Sequence, residues 1–325
     1  MGRVLVTGAA GFIGFHVVKQ LLQEGQAVVG FDNLNEAYDP RLKQWRLEQI
    51  EDHSGFAFKQ VDIADEVALD EAWGGEQFDG VINLAARAGV RQSVRDPQVY
   101  FRANVRGLLN VLNLCREKGV GKIVQASTSS LYGAQNPRPF QEDADISKPL
   151  SPYAASKGAA EMVCHSYHHL HGLEITILRY FTVYGPAGRP DMSIFRFIQW
   201  IAEGKPLHLY GDGKQERDFT FVEDIARGTV AALACPGFEV INLGGDKPYP
   251  MLELITSIED YLGEKAKIDE GPEAPGDVRA TWADISKAKH LLDWQPETDF
   301  HHGIGATIDW YLQERTWASQ IETAA

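Results

Sequence analysis

Short apolar runs alternate with longer amphipathic segments through the first 180 residues, and this alternation restricts the fold more than any other feature. Strands that are buried on both faces and separated by helices form parallel sheets with right-handed crossovers. The pattern therefore predicts an α/β fold built on a doubly wound parallel sheet. The runs that we predict to be strands are RVLVTG, AVVGFDN, FAFKQVD, DGVINLAA, KIVQAST and EITILRYF.

The rhythm changes after about residue 180, where the segments become less regular and richer in glycine, proline and charge. We expect residues 1–180 to form one domain, and segments near 218–245 to return to it because they contain further strand and helix patterns. Residues 181–325 would mainly form a smaller, interleaved α/β lobe. We expect the C-terminal stretch QERTWASQIETAA to be a frayed helix end.

The formal net charge of −14 argues against a general nucleic-acid or membrane-surface binder, because both partners require basic patches. No run of 18 or more apolar residues is present, so we expect no membrane span. The three cysteines, Cys115, Cys164 and Cys235, lie in apolar contexts without a CxxC pair, which indicates buried free thiols and a reducing compartment. We therefore expect a cytoplasmic protein.

A glycine-rich turn separates the first predicted strand from the first predicted helix. Gly8, Gly11 and Gly14 have GxxGxxG spacing, and Phe12 and Ile13 lie between the last two of them. Glycines allow a sharp turn and a close approach to a pyrophosphate, and the helix N-terminus offers unpaired N–H groups. A plain strand-helix turn is the alternative for a glycine triplet considered alone.

Two carboxylates follow the next two predicted strands. Asp32, with Asn33 beside it, ends the second run about 20 residues after the glycines, where it can accept hydrogen bonds from an adenosine ribose. No arginine adjoins it to bind a 2′-phosphate, which favours NAD over NADP. Asp62, followed by Ile63, ends the third run at the height of an adenine, although a helix N-cap is an equally good reading.

Tyr153 and Lys157 in SPYAASK are spaced for one helical turn. A free tyrosine has a pKa of about 10, too high for an efficient base at neutral pH. A nearby ammonium and a positive nicotinamide ring both stabilise the phenolate, so the pair suits oxidised NAD. The hydroxyls of Thr128, Ser129 and Ser130 end the strand KIVQAS just upstream. As an isolated pattern, YxxxK would more often be a solvated helix face.

Six motifs in this order make the chain similar to the extended short-chain dehydrogenase/reductase superfamily over essentially its whole length. They are TGAAGFIG, NLAA, STSSLYG, SPYAASK, LRYFTVYGP and RDFTFVEDIA. The resemblance implies a Rossmann-like NAD-binding domain at residues 1–180 and a nucleotide-sugar-binding lobe at residues 181–325. It also implies cofactor contacts from Leu84, Ala85, Ala86, Asn104 and Tyr180; a buried aromatic core residue is the alternative for Tyr180.

Within the superfamily the chain resembles the UDP-glucuronate 4-epimerases. DNLNEAYDPRLKQWRL, AGVRQS and FTVYGPAGRPDMSIFRF are similar to signatures of that subgroup. Two residues depart from the family pattern: Asn83 replaces a common histidine, and Arg87 replaces a glutamine. We expect both to flank the cofactor or the sugar rather than the base.

The resemblance implies a reaction at C4 of the sugar. Tyr153, as a phenolate, would remove the proton of the 4-hydroxyl while the C4 hydride passes to NAD, and Thr128 would orient the same oxygen. Lys157 would also contact the nicotinamide ribose. Rotation of the 4-keto sugar and return of the hydride would then invert C4 with no net redox change.

The resemblance also indicates residues for the UDP-sugar substrate. Arg217 is expected at the diphosphate because a guanidinium combines charge with forked donors, and Arg279 is a weaker second candidate that could equally be a surface residue. Thr182, Arg189, Ser129 and Ser130 are expected at the sugar carboxylate, with a solvated loop residue as the alternative for Arg189.

Several rival functions use the same base. A UDP-glucuronate decarboxylase, a nucleotide-sugar 4,6-dehydratase, and a 4-epimerase of neutral UDP-glucose or UDP-N-acetylglucosamine all remain open. An NAD-sensing protein without catalysis is the non-enzyme alternative. The decarboxylases carry a glutamate, and the dehydratases an Asp-Glu pair, where this chain has Ser129 and Ser130. The resemblance further implies a homodimer through helices around residues 97–118 and 152–171.

Four histidines cluster at the end of the helix that begins with the tyrosine and lysine pair. The segment HSYHHLH, residues 165–171, offers no carboxylates at metal spacing. We therefore interpret it as a solvated helix end and expect no metal site.

Overall fold

The computed structural model describes residues 2–272 and 278–323. The strands are β1 (Arg3–Thr7), β2 (Ala27–Asp32), β3 (Phe56–Gln60), β4 (Gly80–Asn83), β5 (Lys122–Thr128), β6 (Glu174–Tyr180), β7 (Thr182–Tyr184), β8 (Pro206–Tyr210), β9 (Glu216–Phe221), β10 (Phe238–Leu243), β11 (Pro248–Pro250) and β12 (Lys267–Gly271). The helices are α1 (Phe12–Gln23), α2 (Arg41–Glu48), α3 (Glu66–Trp73), α4 (Val90–Arg95), α5 (Pro97–Phe101), α6 (Gly107–Lys118), α7 (Pro152–His171), α8 (Ser193–Ala202), α9 (Val222–Ala231), α10 (Met251–Leu262), α11 (Ser286–Leu292), α12 (Phe300–Gln313) and α13 (Arg315–Ala318).

A seven-stranded parallel sheet in the order β10-β6-β5-β4-β1-β2-β3 forms the centre of the molecule. The six apolar runs predicted as strands supply β1 to β6, which confirms the predicted fold class. The seventh strand, β10, comes from the later part of the chain and pairs with β6 in parallel. Residues 238–243 therefore lie in the same sheet as the N-terminal strands.

Helices cover both faces of this sheet. On one face α1 and α9 pack together, and their side chains Val17 and Ile225 belong to one buried cluster. On the other face α3, α6 and α7 contribute Trp73, Leu108 and Cys164 to a second cluster. The strands bury apolar side chains on both sides, as expected of a parallel sheet.

All three cysteines are buried and free, as predicted. Burial raises the pKa of the Cys115 and Cys164 thiols, so both remain protonated at neutral pH. In the part of the chain that the structure describes, no helix has the length and apolar character needed to cross a membrane.

The second lobe has its own small sheets and its own core. Strands β7, β9 and β11 form one sheet, β8 and β12 form another, and α8, α10 and α12 pack around them. The C-terminal stretch is part of this core: Ile321 is buried, and the Gln199 amide donates to the carbonyls of Ala318 and Ile321. For residues 313–323 the prediction of a frayed helix end was wrong, because this buried amide and the apolar contacts hold them in place, while residues 324 and 325 lie outside the described part of the chain.

Candidate active site

A cavity of about 470 Å³ opens at the carboxyl ends of the sheet strands and extends to the second lobe. The strand order reverses between β1 and β4, and such switch points form the ligand-binding crevice of doubly wound folds. All but four of the residues predicted to contact or flank a ligand line this cavity. The four that do not are Asn83, Asn104, Arg217 and Arg279.

The glycine-rich turn forms the floor of one end of the cavity. Gly8 has a φ of 72°, in the left-handed region, and a Cβ at Gly14 would collide with the Gly8 carbonyl oxygen. Helix α1 begins at Phe12, and its N-cap residue Gly11 provides no side-chain cap. The first N–H groups of α1 therefore remain available to an anion in the cavity.

Asp32 ends β2 at the same end of the cavity. Its Oδ1 accepts hydrogen bonds from the backbone N–H of Leu34 at 2.8 Å and from the Lys43 ammonium at 3.3 Å. Lys43 lies on α2, and both side chains of this pair are almost fully buried. The sequence did show that no arginine adjoins Asp32, but it did not reveal this lysine.

Asp62 lines the cavity just after β3, and Ile63 lies beside it. The Asp62 Oδ1 accepts a hydrogen bond from the Ala64 N–H, and the Asp62 Oδ2 pairs with the Arg102 guanidinium at 2.9 Å. The N-cap of α3 is Asp65, whose side chain accepts from the Ala68 N–H. The helix-cap reading of Asp62 was therefore wrong.

The segment after β4 passes close to the glycine turn. A Cβ at Gly8 would lie 2.7 Å from the Ala85 nitrogen, so only a glycine permits this approach. Asn83 does not flank the cavity as expected, because its amide is buried in the sheet between the Thr7 hydroxyl and the Gln125 side chain. Arg87 does line the cavity, with its NH1 nitrogen 3.5 Å from the Asn35 side chain.

Asn104 acts on the cavity through its neighbours. It lies in a π-helical turn, residues 102–106, between α5 and α6, and such turns are frequent at functional sites. Its side chain accepts from the Arg87 N–H at 2.8 Å and donates to the Arg87 carbonyl and the Ser156 hydroxyl. Asn104 thus joins the segment after β4 to α7.

Tyr153, Lys157 and Thr128 meet in the middle of the cavity. Ser151 caps α7 by accepting from the Ala154 N–H, so Tyr153 lies in the first helical turn and Lys157 one turn later. The Lys157 ammonium donates to the Ala126 carbonyl on β5 at 3.0 Å, which fixes it beside the end of that strand.

The electrostatics of Tyr153, Lys157 and Thr128 suit a tyrosine base that ionises only when a positively charged ligand is bound nearby. Burial raises the pKa of Tyr153, while the Thr128 hydroxyl and the Arg189 charge oppose that shift. Burial lowers the pKa of Lys157 to about 8, with Glu161 opposing, so the amine still carries its proton at pH 7. The tyrosine therefore depends on nearby positive charge to become a phenolate.

A buried ion pair supports the helix that carries the base. The Arg179 guanidinium on β6 donates to both carboxylate oxygens of Glu161 on α7, at 3.0 and 2.8 Å. The Ser127 hydroxyl on β5 donates to the same carboxylate at 2.5 Å. Together, the ion pair and the Ser127 hydroxyl connect β5, β6 and α7, and so they hold Tyr153 and Lys157 in register with the end of β5.

The other side of the cavity is built from the end of β6 and from β7. Tyr180 lines it and is also a core residue: its hydroxyl bonds the Thr229 hydroxyl at 2.8 Å, and burial raises its pKa. Thr182 begins β7 and lines the cavity as well.

Arg189 follows β7 in the loop GPAGRPD and faces the same cavity. Its Nε and NH2 nitrogens donate to the two carboxylate oxygens of Asp191 at 3.0 and 2.5 Å. Burial raises the pKa of the Asp191 carboxyl, but the charge and the hydrogen bonds of Arg189, together with a backbone hydrogen bond and the Arg196 charge, lower the pKa overall. Both groups are therefore charged at neutral pH.

A fully buried arginine joins the loop of Arg189 to the glycine turn. The Arg46 guanidinium on α2 donates to the Ala187 carbonyl at 2.6 Å and to the Ala10 carbonyl at 3.1 Å. Ala187 has a φ of 54°, a strained conformation that this contact stabilises. The two ends of the cavity are thus connected by one side chain.

Arg217 and Arg279 lie together outside the lining of the cavity. Arg217 belongs to β9, and the Arg279 carbonyl accepts from the N–H of the neighbouring Glu216. Arg279 is exposed and follows residues 273–277, which are outside the described part of the chain.

The histidines at the end of α7 are mostly exposed. His168 Nδ1 contacts the Leu173 carbonyl at 2.8 Å. No group of three or more potential metal ligands occurs among residues 2–272 and 278–323.

Comparison with known proteins identifies the family. The model of the NAD dependent epimerase/dehydratase family matches residues 4–244, which include the glycine turn, the base and the loop of Arg189. The chain belongs to this family. The parallel sheet of this epimerase/dehydratase chain, apart from its first residue Arg3, lies within the matched residues.

Similar proteins include one curated relative and two solved structures. The chain is 53% identical to a UDP-glucuronate 4-epimerase of Thermodesulfobacterium geofontis, over 95% of this chain and 96% of that protein. The crystal structure of a UDP-glucuronic acid 4-epimerase from Bacillus cereus, in complex with UDP-glucuronic acid and NAD, has a TM-score of 0.89 and 40% identity, covering 96% and 99% of the two chains. A UDP-glucose 4-epimerase from Thermotoga maritima has a TM-score of 0.89 and 30% identity, covering 96% and 99%.

Sequence reasoning missed two charged residues that line the cavity of this family member, Lys43 and Asp191, and also Arg46, which lies behind the lining and connects its two ends. The segment RLKQWRLE has the composition of a surface helix, and nothing in its local pattern indicates that two of its cations are buried. Asp191 lies two residues after Arg189, and that spacing could have suggested an ion pair.

Proposed function

We propose that this protein is a UDP-glucuronate 4-epimerase, which interconverts UDP-glucuronate and UDP-galacturonate. The carrying observation is that Tyr153 and Thr128 share one cavity with Arg189, Ser129 and Ser130. A tyrosine base serves many sugar oxidations, but a base beside an arginine and hydroxyls suits a sugar acid. The names of the curated relative and of the Bacillus cereus enzyme support the same activity.

The cofactor that fits the other end of the cavity is NAD. The uncapped N-terminus of α1 and the glycine turn suit a pyrophosphate, and the buried Asp32 carboxylate suits a ribose with free hydroxyls. When bound there, NAD would accept the hydride from C4 of the sugar and later return that hydride to C4. Lys157 and Tyr153 would contact the nicotinamide ribose, and Tyr180 would lie near the nicotinamide.

The residues of the chain then transfer one proton, which is removed from the sugar 4-hydroxyl and later returned to the same oxygen. Tyr153 takes the proton of the sugar 4-hydroxyl, and the Lys157 ammonium stabilises the phenolate that accepts it. Thr128 hydrogen-bonds the same sugar oxygen and orients it. After the 4-keto sugar has turned, Tyr153 returns the proton to that oxygen, and C4 is inverted.

The sugar end must also prevent loss of CO2. Oxidation of a glucuronate at C4 makes a β-keto acid, which decarboxylates when its carboxylate lies perpendicular to the ring. Ser129, Ser130 and Thr182 offer hydroxyls that can hydrogen-bond the carboxylate and fix its orientation. Neither serine can act as a general acid or a general base at neutral pH. Asp191 is ionised by its pairing with Arg189, so it cannot serve as a general acid.

The second lobe, mainly residues 181–325, would hold the nucleotide diphosphate. Arg217 on β9 is our candidate for this contact, with Arg279 beside it. Neither residue belongs to the cavity lining around the base, as suits a contact with the end of a UDP-sugar that is remote from C4.

A homodimer through the helices around residues 97–118 and 152–171 is part of the proposal. Several large apolar side chains on or next to these helices are exposed, which supports a covered surface there. They include Val94, Val99, Phe101, Met162 and Leu170.

The three buried free cysteines support a cytoplasmic, reducing location.

A product assay tests the proposal. The enzyme is incubated with NAD and, separately, UDP-glucuronate, UDP-glucose and UDP-N-acetylglucosamine, and the products are separated by chromatography with mass detection. We expect UDP-glucuronate to give UDP-galacturonate near an even equilibrium, with UDP-pentose only in traces. A dominant pentose with stoichiometric CO2 would indicate a decarboxylase, and a loss of 18 mass units from a neutral sugar nucleotide a dehydratase. Preferred turnover of a neutral sugar, or NAD binding without turnover, would also contradict the proposal.

A further inference from the structure

Two consecutive residues near the end of β5 are bonded to two residues of α7 that lie one helical turn apart. The Ala126 carbonyl accepts from the Lys157 ammonium at 3.0 Å, and the Ser127 hydroxyl donates to the Glu161 carboxylate at 2.5 Å. Residues four apart on a helix are neighbours on one face. Lys157 and Glu161 therefore both face the end of β5.

Glu161 is also fixed from the neighbouring strand. Arg179 on β6 is the register partner of Ser127, and its guanidinium donates to both oxygens of the Glu161 carboxylate. The side chains of this ion pair are only 4% and 7% exposed. Because both of its partners come from the sheet, the carboxylate has a fixed position one helical turn from Lys157.

The charge on Lys157 depends on this carboxylate. Burial lowers the pKa of Lys157 to about 8, and the Glu161 charge is the largest influence that opposes the shift. Cys164, further along α7, acts in the same direction, but burial raises the pKa of its thiol, which stays protonated at neutral pH. Glu161 is thus the main counter-ion of the Lys157 ammonium.

Charged and titratable groups from other elements face Tyr153 or Glu161. They are Arg179 on β6, Tyr132 in the turn after β5, Tyr100 on α5, and Arg189 with its partner Asp191 after β7. The arginines are cations, and burial raises the pKa of both tyrosines, which are neutral at neutral pH. These groups do not replace the negative charge of Glu161 beside Lys157.

We propose that Glu161, fixed by Ser127 and Arg179, is a positioning residue that keeps Lys157 in its ammonium form at neutral pH. This inference rests on the proposed function, in which the Lys157 ammonium stabilises the Tyr153 phenolate. Loss of the Lys157 proton at alkaline pH removes that charge, so turnover falls there. Glu161 thereby sets the upper limit of the pH range in which the base works.

Glu161→Gln and Arg179→Gln test the proposal, because they should act in opposite directions. Glu161→Gln keeps an acceptor for the Ser127 hydroxyl but removes the negative charge. We expect its alkaline fall in kcat on UDP-glucuronate to begin about one pH unit lower than in the wild type. Arg179→Gln leaves the Glu161 carboxylate unpaired, and the fall should move by a similar amount to higher pH.

Glu142→Gln is the matched control. The Glu142 backbone carbonyl accepts from another nitrogen of the Arg179 guanidinium, and its carboxylate accepts from the Asn242 N–H on β10 rather than bonding to α7. This variant should keep the alkaline fall at the wild-type pH.

A second measurement follows Lys157 without any substrate. Carbon-13 NMR of enzyme labelled at the lysine Cε atoms reports the titration of each lysine, and the Lys157 signal is the one that is absent from Lys157→Met. We expect Lys157 to titrate about one pH unit lower in Glu161→Gln and higher in Arg179→Gln.

Removal of one partner of a buried ion pair is strongly destabilising, so the double variant Glu161→Gln/Arg179→Met is measured as well. It has neither charge of the pair, and because it lacks the charge that opposes the burial of Lys157, Lys157 should titrate below the wild type. This variant decides the test if a single variant does not fold.

A merely structural role would lower kcat at every pH, and the melting temperature, without moving the titration of Lys157. That result, or shifts of the two single variants in the same direction, would overturn the inference. Failure of the wild type to form UDP-galacturonate would instead reject the proposed function, and the NMR titration would still decide the role of Glu161.

Discussion

The two ends of the cavity pair their cations in different ways. At the cofactor end, Lys43 and Asp32 form an ion pair with side chains that are each 6% exposed. At the sugar end, Arg189 and Asp191 form one with side chains that are 22% and 30% exposed. Both pairs line the cavity, but the first is almost fully buried and the second is more exposed.

This difference corresponds to what each end must do in the proposed reaction. A cofactor that is restored in every cycle benefits from a preformed site, in which little has to be ordered on binding. A sugar that turns within the site needs contacts that can be exchanged. The comparison predicts that changes at the sugar end alter substrate choice, while changes at the cofactor end alter dinucleotide choice.

The largest expected effect lies where the two ends meet. Tyr153→Phe removes the proposed base but keeps the ring that packs edge-on against Tyr100. We expect turnover to fall by about two or more orders of magnitude, while NAD binding remains nearly intact. Steady-state rates and calorimetric titration of NAD give the two measurements. Turnover near that of the wild type would assign the base to another residue.

Arg189→Ala should act at the sugar end only. We expect binding of UDP-glucuronate to weaken by about 1.5–3 kcal/mol, because a charge-assisted contact is lost and Asp191 is left unpaired beside the carboxylate. UDP-glucose should be affected much less. Arg102→Ala is the matched control, since Arg102 also lines the cavity but pairs with Asp62 at the cofactor end. Equal losses for both sugars would make Arg189 a structural loop residue.

Local motifs of the site could be predicted from the sequence, whereas contacts that depend on the tertiary fold could not. The glycine turn and the Tyr153 and Lys157 pair are contiguous or one helical turn apart, so local pattern and resemblance were sufficient to indicate them. Asn83 was expected at the ligand, yet its amide bonds two neighbouring strands, a contact that depends on the order of strands in the sheet. Lys43 on α2 meets Asp32 at the end of β2 only in the folded chain, and no local pattern encodes that contact.

Dinucleotide choice tests the cofactor end. We expect the wild type to bind NAD more tightly than NADP, because the Asp32 carboxylate repels a 2′-phosphate. Asp32→Asn should narrow that preference by about tenfold, since it removes the anion and leaves the Lys43 ammonium beside the ribose site. Lys43→Gln should shift the preference in the opposite direction. Calorimetric titration with both dinucleotides measures the ratio, and tighter NADP binding by the wild type would refute the assignment of Asp32.

The smallest expected effect concerns the contact between the two ends. His16 lies on α1 of the cofactor end, between the Phe12 and Phe15 rings, and its Nε2 contacts the Pro186 carbonyl in the loop of Arg189 at 3.3 Å. Burial lowers the pKa of His16 from 6.5 to about 3, while the Pro186 carbonyl opposes the shift.

Because the folded pKa is depressed, the unfolded chain binds a proton below pH 6.5 that the folded protein does not bind. The stability contributed by neutral His16 is therefore complete above pH 6.5 and is lost progressively as the pH falls towards 3. Between pH 6.5 and 5.5 the wild type should lose about 1 kcal/mol more free energy of unfolding than His16→Gln, which cannot titrate. Denaturant titrations at the two pH values measure this difference, with the exposed His171→Gln as a control that should behave like the wild type. Equal acid sensitivity of wild type and His16→Gln would mean that His16 can take up a proton in the folded state, and the contact between the two ends would then be looser than its burial indicates.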